Sequence, residues 1–173
     1  MKSGIRILLV DPHAVVRKAV RRLLEVDPAL AVCAEAETTE QVERALRRHH
    51  VDLAILDLAF QRDDGLTLIR VLRARYPAML ILVLSMHKET MFAEAALRAG
   101  AQGYLMKNDA ADHLVPAVHQ VRAGKIYVSE AIQQGIYAKM RMEALRRPGS
   151  RSCAPPDWSG HHAAKATHFA HGH

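Results

Sequence analysis

The chain has 173 residues, of which 50% are hydrophobic and 24% charged, a balance that fits a globular domain with a short remainder and excludes disorder over most of the length. The formal net charge of +6 invites a nucleic-acid partner, but it is unevenly spread. Six basic and two acidic side chains lie from Lys139 onward, leaving 18 and 16 for residues 1–138, so the body of the chain is close to neutral.

Two cysteines, Cys33 and Cys153, cannot build a disulfide framework; Cys33 reads as a small buried core residue. The amino terminus lacks a signal-peptide core, and no apolar run approaches the roughly 18 residues needed to span a bilayer. A reduced, cytoplasmic protein with no membrane partner is expected.

Two hydrophobic patterns alternate along the first 125 residues. Apolar runs of strand length occur at Ile5–Val10, Leu30–Ala36, Leu53–Leu58, Met79–Leu84 and Gly103–Met106. Between the first two, Val15, Val16, Ala19, Leu23 and Leu24 form a helical stripe, interleaved with a basic set (Arg17, Lys18, Arg21, Arg22) read as surface charge. A second helix starts at Thr38–Thr39 and carries Val42, Ala45 and Leu46. Leu66, Leu68, Ile69 and Leu72 mark a third; Phe92, Ala95, Ala96 and Ala99 mark a fourth that stops on Gly100. The fifth runs through Leu114, Val118 and Val121 to Gly124, with Asp109 as N-cap and Pro116 expected to kink it or delay its start.

Strand–helix alternation with short connections predicts an α/β fold: a doubly wound, five-stranded parallel sheet covered on both faces. Such sheets bind ligands at the carboxyl ends of their strands. There the sequence places Asp11 after the first run, Asp57 in the third, Ser85 after the fourth and Lys107 after the fifth. Any one of the acids could be a simple helix cap. Together the four are what phosphoryl chemistry on a carboxylate needs: an Asp nucleophile, a divalent cation among the oxygens, and Lys and Ser to hold the transferred group. No phosphate-binding Gly-x-x-x-x-Gly-Lys-Ser/Thr loop occurs, and Ala59 stands where a phosphatase of the strand-end Asp type carries its second Asp.

Four segments, in order and spacing, carry a resemblance over residues 5–135: Ile7-Leu8-Leu9-Val10-Asp11-Pro12-His13-Ala14-Val15-Val16-Arg17; Leu56-Asp57-Leu58 with Asp64-Gly65-Leu66; Leu82-Val83-Leu84-Ser85-Met86-His87; and Ala99-Gly100-Ala101-Gln102-Gly103-Tyr104-Leu105-Met106-Lys107. The chain resembles the receiver domain of bacterial two-component response regulators, in particular the NarL/FixJ type that precedes a LuxR-type helix-turn-helix. That resemblance implies a flavodoxin-like (βα)5 sheet of order 2-1-3-4-5 and a phosphoacceptor signalling domain rather than an enzyme. It makes Asp57 the phosphoacceptor for a sensor histidine kinase and puts Lys107 on the acyl phosphate. Ser85 would bond a phosphoryl oxygen, and Tyr104 would turn inward with it as the switch. Asp11, Asp57 and the Ala59 carbonyl would hold Mg2+. Helices one and five would contribute to a homodimer, and helix one to kinase docking.

Two departures stand out against that resemblance. Pro12 occupies the position of the second acid, and a proline supplies no side-chain oxygen, which predicts a weak Mg2+ site. Phe60-Gln61-Arg62-Asp63 replaces the usual Met-Pro-Gly-x, removing a turn-setting proline and adding an arginine near the site. A degenerate receiver acting as a phosphorylation-independent interaction module is therefore the alternative. His13 and His87 lie near the same rim and read as surface histidines.

The expected organisation is a receiver over 1–125, a linker helix over 126–147 capped by Ser129 and running through Ile132, Ile136, Met140 and Leu145, and a disordered basic, His-rich tail over 148–173. The tail contains five of the eleven histidines and is too short for the three helices of a helix-turn-helix domain, so no DNA-binding domain is expected in this chain. A single-domain receiver and a transcription factor cut short both fit that pattern. Salt-dependent DNA binding through the basic tail ranks third among the readings.

Overall fold

Along β1 (Ile5–Val10) the side chains alternate: Ile7 and Leu9 face one way, Leu8 and Val10 the other, and all four are buried. A strand with no solvated face belongs to a sheet covered on both sides. In the computed structural model, which describes residues 4–60 and 65–146, β1 pairs in parallel with β2 (Leu30–Ala36) and β3 (Leu53–Leu56). Beyond β3 lie β4 (Leu80–Ser85) and β5 (Gly103–Met106), again parallel, and the order is β2-β1-β3-β4-β5. This is the doubly wound parallel sheet that the pattern predicts, in the flavodoxin-like order that the resemblance implies.

Helices α1 (Ala14–Leu24) and α5 (Ala110–Arg122) cover the face of Ile7 and Leu9, where Val20, Leu24, Leu114, Val118 and Val121 form one core. Helices α2 (Thr39–Arg48), α3 (Gly65–Arg75) and α4 (Glu89–Ala99) cover the face of Leu8 and Val10 and bring Val42, Ala45, Ile69, Leu72, Ala93 and Ala96 to a second. Thr38 caps α2 by accepting a hydrogen bond from the Gln41 amide, and Gly100 ends α4 in the left-handed region at φ 117°. A sixth helix, α6 (Glu130–Arg146), runs beside α4 with none of its residues buried; the Lys139 ammonium pairs with the Glu94 carboxylate across the two.

Several expectations need correction. The α1 stripe holds at Val16, Leu23 and Leu24, which turn inward, but Val20 completes it in place of Val15, which is 79% exposed, and Ala19, which is exposed. The 3.6-residue period is satisfied by either set, and only the docking of the helix chooses between them. β3 stops at Leu56 rather than Leu58, and β4 covers Leu80–Ser85 rather than Met79–Leu84. Cys33 is half-buried, with its thiol donating to the Ile7 carbonyl at 3.4 Å, because β2 is an edge strand. α5 starts directly after a 3-10 turn (Lys107–Asp109) and passes through Pro116 without a late start. Pro116 and Asp112 both sit on the exposed side, where water can meet the carbonyl that the missing N–H leaves. Asp109 holds the N-cap position, but its side chain makes no capping hydrogen bond. The expected tail over 148–173, and Gln61, Arg62, Asp63 and Asp64, lie outside the described residues.

Candidate functional site

The register Val10↔Leu56 between the two central strands makes Asp11 and Asp57 neighbours as each chain leaves the sheet. The Asp57 amide donates to the Val10 carbonyl at 2.9 Å, and the Asp11 amide to the Ala36 carbonyl at 3.1 Å, so both acids are fixed by backbone. Ser85 closes β4, and Lys107 follows β5 directly. Asp11, Asp57 and Ser85, at 6%, 3% and 0% exposure, are the buried polar or charged residues among those described.

Lys107 ties the acids together. Its ammonium donates to Asp11 Oδ2 at 2.6 Å and to Asp57 Oδ2 at 2.8 Å. Burial alone would push the Lys107 pKa down, but the hydrogen bonds and charges of Asp11 and Asp57 outweigh it and hold it above the ordinary lysine value. The other oxygens are also engaged: Asp57 Oδ1 accepts from the Ala59 amide at 3.2 Å, and Asp11 Oδ1 from the His13 amide at 2.7 Å.

On the β4 side, Ser85 Oγ accepts from the His87 amide at 3.1 Å, and the Tyr104 hydroxyl donates to the His87 carbonyl at 2.8 Å. Tyr104 already lies inside, 1% exposed. Burial pushes its phenol pKa up; the Ser85 hydroxyl opposes this, and the charges of Glu89 and Asp57 add to it. Asp11, Asp57 and Lys107 thus meet directly, with Ala59 beside Asp57, while Ser85 and Tyr104 meet at the His87 backbone.

Two participants were read as surface groups. Arg17 is 12% exposed: its guanidinium donates to the Asp11 carbonyl at 2.7 Å and to Glu35 at 3.0 Å, bracing the loop that carries Asp11. The signal in the sequence is Glu35, an acid inside an otherwise apolar strand that needs a counter-charge. His13 Nδ1 lies 3.2 Å from Asp11 Oδ1, and Asp11, His13 and Asp57 form a group whose potential ligand atoms lie within 4.8 Å of one another. Two carboxylates beside each other are hard donors of the kind that Mg2+ accepts, so the donor set fits a divalent cation although Pro12 adds no side-chain oxygen.

The sequence pattern of the response regulator receiver domain matches residues 7–119. The chain belongs to this family. Receiver domains are signalling domains of two-component systems and bind Mg2+. This receiver is 31% identical over 140 residues to the transcriptional regulatory protein DegU of Brevibacillus brevis, covering 81% of this chain and 59% of the relative. It is 33% identical over 135 residues to the nitrate/nitrite response regulator NarL of Escherichia coli (strain K12), covering 78% and 62%. A crystal structure of a LuxR-family two-component response regulator from Aurantimonas superposes with a TM-score of 0.72 at 37% identity, covering 81% of this receiver and 99% of that chain. The receiver thus spans about three fifths of the length of the curated relatives it matches. Among the described residues, no helix is long and apolar enough to cross a membrane.

Proposed function

We propose that this receiver takes a phosphoryl group from a sensor histidine kinase onto Asp57 and switches protein contacts in response. The observation that carries the reading is the Lys107 ammonium shared between two buried carboxylates, Asp11 and Asp57, at the carboxyl end of the sheet. A carboxylate oxygen of Asp57 attacks phosphorus, the phosphorus–nitrogen bond of the donor phosphohistidine breaks, and the departing imidazole nitrogen takes a proton. Lys107 is close enough to remain on the acyl phosphate, where its charge offsets the oxygens gathered in the transition state. Ser85 offers its hydroxyl to a phosphoryl oxygen, and Tyr104, hydrogen-bonded to the His87 carbonyl, transmits the change to the face formed by α4, β5 and α5. Asp11, Asp57 and the Ala59 carbonyl would hold the Mg2+ ion, which supplies charge neutralisation for the attacking and transferred oxygens.

The organisation that goes with this reading is a receiver over 1–125 and a linker over 126–147, derived from a transcriptional regulator. Cytoplasmic location and a homodimer through α1 and α5 belong to the same proposal. A second reading, phosphorylation-independent contact, is favoured by the missing acid at Pro12. Intact-mass measurement after incubation with acetyl phosphate, with and without Mg2+, separates the two. One phosphoryl group added to wild type and none to Asp57→Ala supports the acceptor; no addition to a folded wild type leaves the contact module.

A further inference from the structure

We infer that His13 is a metal ligand that takes over from the acid missing at Pro12, so that the site prefers a nitrogen-accepting divalent ion of the first transition series, such as Mn2+, over Mg2+. The inference rests on the reading of this rim as the phosphoacceptor site and specifies which ion that site holds.

The local chain geometry aims the ring. Pro12 restricts Asp11 to extended backbone, and the His13 amide then donates to Asp11 Oδ1 at 2.7 Å, closing a tight turn. His13 sits at the N-cap of α1 in extended conformation (φ −97°, ψ 113°), yet its side chain makes no capping hydrogen bond. Its imidazole is directed instead at the acids, with Nδ1 3.2 Å from Asp11 Oδ1. Two ligands each about 2.1 Å from a common ion, at the angles of tetrahedral or octahedral coordination, stand about 3.0–3.4 Å apart. The observed separation, a hydrogen bond here, matches such a bite, and a ligand atom of Asp57 lies within 4.8 Å of both. Lys107 binds the Oδ2 atoms of both acids, so the oxygen of Asp11 nearest the ring is the one that the ammonium does not use.

The donor chemistry sets the preference. Mg2+ takes oxygen ligands and gives up its waters reluctantly; Mn2+ shares its preference for carboxylates, and an imidazole beside them adds affinity for a first-row transition ion that Mg2+ does not gain. Charge agrees: two carboxylates and one ammonium leave the cluster at −1, and a divalent ion raises it to +1, ready for a phosphoryl dianion. The His13 side chain is 67% exposed, so the ring is open to an ion arriving from solvent.

The test uses the full chain, with Mn2+ binding followed by electron paramagnetic resonance and electron spin-echo measurements of nitrogen coupling to bound Mn2+. Wild type is expected to show nitrogen coupling and to need at least about a tenfold excess of Mg2+ for displacement. His13→Ala should lose the coupling, weaken Mn2+ about tenfold and bring Mg2+ close to parity. Asp57→Asn should weaken both ions, separating this site from the histidines of residues 161–173. Mn2+ bound without nitrogen coupling, at an affinity unchanged in His13→Ala, overturns the inference and leaves the phosphoacceptor reading intact. Coupling that survives in His13→Ala places the ion elsewhere and also overturns it. Binding of neither ion overturns the inference together with the metal-dependent part of the proposed function; acetyl phosphate labelling of Asp57 still decides the rest.

Discussion

Lys107 and Asp11 are 96 positions apart in the sequence, and the ammonium of one lies 2.6 Å from a carboxylate oxygen of the other. The contact exists because β1 and β5 run parallel within the same sheet, so both ends deliver their next residue to the same rim. Asp57, at 2.8 Å from the same nitrogen, turns the pair into a three-membered cluster.

That cluster makes Lys107 a residue of stability. Removing it leaves two buried carboxylates side by side without a counter-charge, and Lys107→Met should cost about 3 kcal/mol in urea unfolding at neutral pH. Changing Asp11→Asn in the same chain should restore part of the loss. Because the folded Lys107 pKa is raised, its contribution is fully present below the ordinary lysine pKa of about 10.4 and disappears as pH rises through the folded value. An unchanged gap between wild type and Lys107→Met in strongly alkaline solution would contradict this assignment.

Glu35 predicts the opposite pH limb. Burial alone would raise its pKa, but hydrogen bonds and charge from Arg21 and Arg17 outweigh burial and hold it below the usual glutamate value. A depressed pKa gives stability that is present above the unfolded value of about 4.3 and lost as pH falls through the folded one. Glu35→Gln should therefore be less stable than wild type by about 1 kcal/mol at neutral pH. Melting curves should converge in acid.

Gly65 opens α3 against the backbone of the segment that follows Asp57. A Cβ there would lie 2.7 Å from both the Leu58 Cα and the Leu58 carbonyl oxygen, and backbone cannot step aside as a flexible side chain does. Gly65→Ala should lose about 2 kcal/mol and shift the amide resonances of Leu58 and Ala59 in two-dimensional NMR. Wild-type stability in that variant would mean that the segment moves freely.

Tyr104→Phe removes one hydroxyl and leaves the ring. The bond to the His87 carbonyl is lost, which should cost about 1 kcal/mol in chemical denaturation. If Tyr104 carries the switch, partner contacts in this variant should also stop responding to modification of Asp57. A variant that folds and responds like wild type would remove Tyr104 from the pathway.

Much of this was legible in the chain. Five apolar runs, the stops at Gly100 and Gly124 and the strand-end residues Asp11, Asp57, Ser85 and Lys107 determine a parallel α/β sheet with its chemistry on one rim, because strand period, helix period and turn chemistry are local properties. Other features depend on packing between distant segments, which no local pattern encodes. Val20 rather than Val15 or Ala19 meets the core beside Val16 only through the way α1 docks. Arg17 reads as surface charge until β2 brings Glu35 against it. The His13 ring reads as solvated until the turn at Pro12 sets it over Asp11, and the sharing of one ammonium by two acids needs β1, β3 and β5 in register. Local pattern suffices to say which groups reach the rim; which of them touch follows from the assembled sheet, since hydrogen bonds and ion pairs act over a few ångströms and the sheet sets those distances.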